Sequence, residues 1–160
     1  MSIKVFWANS FFSGLVAREL AGKCFLVDSE RIFVGGLLAE LGHLILYGQM
    51  PEQPEQALRE SATTGTQIDA VEQNILGFDY TKIGQALAEV WQLPKNFLMA
   101  IRFQNYPKGT RDYAFEAALL NMANLLTEGF QSLKGSMDSQ KLVTPESWTL
   151  TGLNEEILNE

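Results

Sequence analysis

The apolar residues of this chain recur at intervals of three and four and almost nowhere at two. That spacing is the signature of helices packed on one face, and it leaves little room for a sheet. The spacing predicts a first helix over 3–20, with Val5, Phe12, Leu15, Val16 and Leu20 on its apolar face and Gly22 as its stop. Asp28 is suited to cap a second helix over 29–47, ending before Gly48. Pro51 and Pro54 open a polar helix that fades at 63–65, and a short helix over 67–76 stops at Gly77. Asp79 caps a helix to about Gln92, Pro94 starts another to about Asn105, and Pro107 and Gly109 make a turn. Thr110 is placed to cap a long helix over "RDYAFEAALLNMANLLTEGF". The following "QSLKGSMDSQKLVT" reads as loop, and "PESW" and "NEEIL" as two short helices with acids in their first turns. The expectation is an all-α chain, a compact array of about seven or eight helices forming one domain over 3–158.

Charge and residue inventory narrow the chemistry. The net charge is −7, and the Lys and Arg side chains are scattered, so a groove for nucleic acid is not expected. No continuous apolar run reaches the ~18 residues of a membrane span, and the first residues lack the order of a signal peptide. With a single cysteine, Cys24, no internal disulfide can form, and the expected setting is the cytoplasm. One histidine and one cysteine cannot build a His- or Cys-rich zinc site. No phosphate-binding loop, G-x-G-x-x-G or G-x-S-x-G phrase occurs.

The stretch "FVGGLLAELGHLILYG" holds two adjacent glycines, then Glu40 between leucines, then His43, the only histidine. Glycine inside a helix costs about 1 kcal/mol relative to alanine, so a compensating close contact is expected. Gly35, Ala39, Gly42 and Leu46 share a nearly smooth face onto which another helix can pack, and the same face could instead border a pocket. His43, three residues beyond Glu40, is within reach of an ion pair with it.

The same stretch resembles the L-L-H-D-I-G-K/R phrase of HD-superfamily domains. "GFDYTKIGQALAEVWQLPKNFLMAIRFQNYP" is similar to the HDOD branch of that superfamily, whose pattern runs G-F-D-H-x-x-V-G, W-x-L-P and I-R-x-H-H-x-P. "VFWANS" matches the family's F-W-x-H-S phrase, "ALLNMANLLTEG" its L-x-x-A-D-x-L-A phrase, and "ESWTLTGLNEEIL" its usual ending. The resemblance implies an HD-like helical fold, whose catalytic members are metal-dependent phosphohydrolases or phosphodiesterases.

Carried over position by position, the resemblance implies that the ligands have been replaced. The first ligand His falls on Asn9, and the His-Asp pair on Ala39 and Glu40. The His after G-F-D falls on Tyr80, the paired histidines on Gln104 and Asn105, and the last Asp on Asn124. One carboxylate among neutral amides is a poor holder of a divalent ion, so neither a metal nor another cofactor is expected. The expectation is a pseudoenzyme: a signalling module of bacterial type that binds a protein partner. Its residual pocket lies at Asn9, Ala39, Glu40, Tyr80, Gln104, Asn105 and Asn124. A small-molecule or nucleotide sensor using that pocket is the alternative, and a phosphohydrolase is the remaining one. A buried Glu40 must be hydrogen-bonded, so Asn9, Asn105 and Asn124 are expected to join it in a metal-free network.

HDOD domains usually carry a further N-terminal helical lobe, and this chain starts at about the F-W-x-H-S helix. If that lobe is missing, Phe6, Trp7, Phe11 and Phe12 are candidates for an exposed contact surface, with homodimer pairing one use of it, or else for an ordinary core.

Overall fold

The computed structural model describes residues 2–25, 28–132 and 143–159. Among them there is no strand. The helices are α1 (Ile3–Lys23), α2 (Ser29–Leu38), α3 (Leu41–Gln49), α4 (Glu52–Thr64) and α5 (Ile68–Leu76). They continue with α6 (Tyr80–Val90), α7 (Lys95–Phe103), α8 (Ala114–Ser132) and α9 (Pro145–Thr151). Short 3-10 turns lie at Pro107–Gly109 and Glu155–Asn159. The fold is the expected all-α array. The loop expected after Gly129 falls largely on 133–142, outside the described residues.

The centre is α8. Ala117, Ala118, Leu119, Leu120, Met122, Ala123 and Leu126 on it are all buried, and α1, α2, α7 and α9 pack around it. A helix that buries so many apolar residues is a core helix. Each fully buried Leu or Met contributes about 1.5–3 kcal/mol. Arg111 and Asp112 stay exposed in a bend, and α8 begins only at Ala114, not directly after Thr110. The helix starts where its residues find neighbours to bury against. It also continues through Gly129 to Ser132.

The apolar face expected on α1 is buried only in part: Leu20 is core and Val16 packs against it. Val5 and Phe12 are exposed, whereas Phe6, Ser10, Ser13, Gly14, Ala17, Leu20 and Ala21 are buried. Small residues face inward because α2 comes very close. A Cβ on Gly36 would lie 2.9 Å from the Gly14 Cα. Trp7 and Phe11 are exposed as well, while Phe6 is core. Phe11 meets Phe33 edge-on at 5.8 Å between ring centres, and Phe12 meets Phe130 in the same way. Gly22 does not stop α1, which runs to Lys23. The chain turns instead at Phe25, with φ +56°.

The helix expected over 29–47 is two helices broken at Ala39 and Glu40. In an unbroken helix the Ala39 carbonyl would accept the His43 N–H. Here that N–H bonds the Glu40 carbonyl at 3.0 Å, and the Ala39 carbonyl instead accepts the Gln104 side-chain amide at 2.8 Å. A side chain inserted into the backbone ladder is a recognised cause of a kink. The smooth face is divided as a result. Gly35 lies against Leu120 of α8, and Gly42 lies against α6, where a Cβ would come within 1.9 Å of the Tyr80 carbonyl oxygen. By length and composition Ser29–Gln49 could cross a membrane, with a mean hydropathy of 1.3. Its apolar residues Ile32, Ala39, Leu41 and Leu46 are buried within the fold.

Candidate functional site

The break at Ala39 and Glu40 puts a carboxylate at the wall of a cleft. The cleft, about 1120 Å³, opens between α1, α3, α4 and α8, and Asn9, Glu40, His43, Tyr80, Asn105 and Asn124 are among its lining residues.

Glu40 Oε2 lies 2.7 Å from His43 Nδ1, and Glu72 Oε1 on α5 lies 3.0 Å from His43 Nε2. Both ring nitrogens therefore face carboxylates, and both can donate only in the imidazolium form. Burial pulls the His43 pKa down, but the hydrogen bonds and charges of Glu40 and Glu72 outweigh it and raise it from 6.5 to about 9. Glu72 is 1% exposed, and its second oxygen accepts the Tyr80 N–H at 2.8 Å. A carboxylate so deeply buried needs partners to offset its lost hydration. The imidazolium stacks on the Tyr80 ring at 3.8 Å. Burial and then the nearby Glu40 charge push the Tyr80 phenol above its ordinary range.

A second chain of hydrogen bonds crosses from α8 to α7 and α1. Asn124 Nδ2 donates to Gln104 Oε1 at 2.6 Å and stands 3.5 Å from Glu40 Oε1. Ser13 Oγ donates to Asn124 Oδ1 at 2.7 Å. Gln104, fully buried, gives its amide hydrogens to the carbonyls of Ala39 and Ile101. Asn105 is exposed and bonds the Tyr80 hydroxyl, not Glu40. Asn9 lines the cleft with no hydrogen bond to Glu40. Of the three asparagines expected around Glu40, only Asn124 approaches it. The strong partner is His43, and Gln104 takes the bridging role expected of asparagines.

Glu72 was not legible as a site residue. Its signal was a carboxylate on the apolar stripe of α5, flanked by Ile68, Val71, Ile75 and Leu76. Glu128 was missed too. It lines the outer part of the cleft, where burial and then the Glu40 carboxylate push its carboxyl up, while His43 pulls it down.

The donor set does not fit a divalent metal. Among the described residues no three His, Cys, Asp or Glu side chains are placed to hold one, and Glu40 and both nitrogens of His43 are committed to each other and to Glu72. The remaining positions offer neutral amides, a phenol and a methyl group.

The HDOD domain family matches residues 1–107. The chain belongs to the HDOD family. None of the curated proteins matches. Among solved structures, it is similar to one from Shewanella amazonensis provisionally named a phosphohydrolase, with a TM-score of 0.81 and 24% identity over 99% of this chain and 60% of the other. An HDOD domain protein of unknown function from Geobacter sulfurreducens superposes with a TM-score of 0.75 at 19% identity, over 91% of this chain and 51% of the other. A structure from Marinobacter aquaeolei provisionally named a signal transduction protein gives 0.78 at 24%, over 96% of this chain and 34% of the other. The HDOD chain thus spans between about a third and three-fifths of the length of these structures. At these identities the likeness is one of fold.

Proposed function

We propose that the chain is a non-catalytic regulatory module of the HDOD kind, acting in signal transduction through contact with a protein partner. The observation that carries this reading is the fate of the ligand positions. Where the resemblance places metal ligands, Asn124, Gln104 and the Ala39 carbonyl bond one another, and Glu40 bonds His43. A metal-activated water needs an open coordination position held by anionic or imidazole ligands. The one imidazole present is held between two carboxylates. The name of the Marinobacter aquaeolei structure supports a signalling setting, and the reading includes a bacterial cytoplasm.

The test is metal analysis of the purified protein together with hydrolysis of bis-p-nitrophenyl phosphate in Mn²⁺, Mg²⁺ or Zn²⁺. The expected result is substoichiometric metal and no turnover above that of the ion in buffer. Stoichiometric metal with turnover would overturn the proposal.

A further inference from the structure

We propose that the cleft beside Glu40 binds a small organic cation, an amine carrying an apolar group, and rejects phosphates and nucleotides. This goes beyond the regulatory reading and does not depend on how the partner is engaged.

The first observation is the sign of the lining charge. The carboxylates of Glu40, Glu55 and Glu128 line the cleft, and none of its lining residues is Lys or Arg. His43 carries the sole positive charge there, and Glu40 and Glu72 already flank it on both nitrogens. Glu55 is 63% exposed and paired with Arg59 at 3.8 Å, but the lining as a whole stays negative, so an anion entering would be repelled and a cation drawn in.

The second observation is an unsatisfied polar atom. Ser10 is 2% exposed and lines the cleft, and its hydroxyl has no hydrogen-bond partner. A buried hydroxyl left unpaired costs free energy, and a ligand donor such as an ammonium N–H would satisfy it. Glu128 adds a carboxylate with no partner among the described residues; burial and then Glu40 push its carboxyl up, and His43 pulls it down. The apolar part of the ligand has Val5, Phe6, Leu58 and Leu125 to cover it. The volume is ample for such a molecule.

The experiment follows amide and side-chain NMR shifts of the whole chain on titration with benzylamine, its neutral counterpart benzyl alcohol, and AMP. Benzylamine is expected to shift residues of α1, α3 and α8 saturably at about millimolar affinity, the range a fragment of this size reaches. Benzyl alcohol is expected to bind at least about tenfold more weakly, and AMP not at all. Glu128→Gln should weaken benzylamine by about tenfold. Ser10→Ala should weaken it about threefold while thermal stability holds or rises, because the lost hydroxyl was unpaired. The proposal is overturned if AMP occupies the cleft, if alcohol and amine bind alike, if benzylamine does not bind, or if Glu128→Gln leaves its affinity unchanged. Because none of these outcomes depends on turnover, this test and the phosphodiester assay can fail separately.

Discussion

Replacing His43 by glutamine removes the one cation that holds α3 to α5. The side chain is 17% exposed and bonded to Glu40 at 2.7 Å and to Glu72 at 3.0 Å. Its pKa rises from 6.5 to about 9 in the folded protein, which corresponds to about 3 kcal/mol of stabilisation by the protonated form. A histidine whose folded pKa is raised contributes fully below its unfolded pKa, and the contribution disappears as pH climbs through the folded value. The native protein should therefore lose about 3 kcal/mol between pH 6.5 and 10, measured by urea unfolding with tryptophan fluorescence. At pH 6, His43→Gln should be about 3–5 kcal/mol less stable than the native chain, because Glu72 stays buried without its cation. The gap between the two should narrow as pH rises through 9. Subtracting the variant removes the contributions of other groups titrating in that window, including Cys24, whose thiol burial pushes up. As the only histidine, His43 also gives one imidazole signal to titrate by NMR. A midpoint below 7, or a gap that does not change with pH, would refute the clamp.

Other outcomes test the packing and the caps. Gly42→Ala would place a methyl group 1.9 Å from the Tyr80 carbonyl oxygen and should cost about 3 kcal/mol or more in unfolding free energy, whereas Gly48→Ala, with nothing within 4 Å, should be neutral or stabilising by up to about 1 kcal/mol. Asp79 accepts from the backbone N–H of Thr81 and Lys82 at the start of α6, so Asp79→Ala should cost about 1–2 kcal/mol by the same assay. Gln104→Leu keeps the volume but leaves the Ala39 carbonyl and the Asn124 amide without their partner. It should cost about 2–3 kcal/mol and slow no other unfolding probe relative to fluorescence if the loss is local.

Much of the fold was legible because local rules governed it. Asp79 and Asp28 cap where expected, their side chains accepting the N–H groups of Thr81 and Arg31. Gly77 ends α5 with φ +79°, the left-handed position a glycine fills readily. Where local rules ran out, expectation and structure diverge. The buried face of α1 was only partly readable from hydrophobicity: Leu20 is core as expected, but close approach of α2 favours Ser10, Gly14 and Ala17 over the bulkier Val5 and Phe12. Within the site, the place of Asn124 beside Glu40 agrees with the expected network. Asn105 turned to the Tyr80 hydroxyl, and Asn9 makes no bond to Glu40.

By itself the sequence determined helix over sheet, the HDOD kinship and the residue types at the positions where the resemblance places metal ligands, because periodicity and motif are properties of neighbours along the chain. Only the tertiary structure decided what those residues do. The wedge of Gln104 against Ala39 joins residues 65 positions apart, and the meeting of His43 with Glu72 joins residues 29 apart. Such contacts form when helices dock, and no local pattern encodes them. The positive charge between α3 and α5 is carried by a proton on His43, because docking sets a carboxylate against each of its nitrogens.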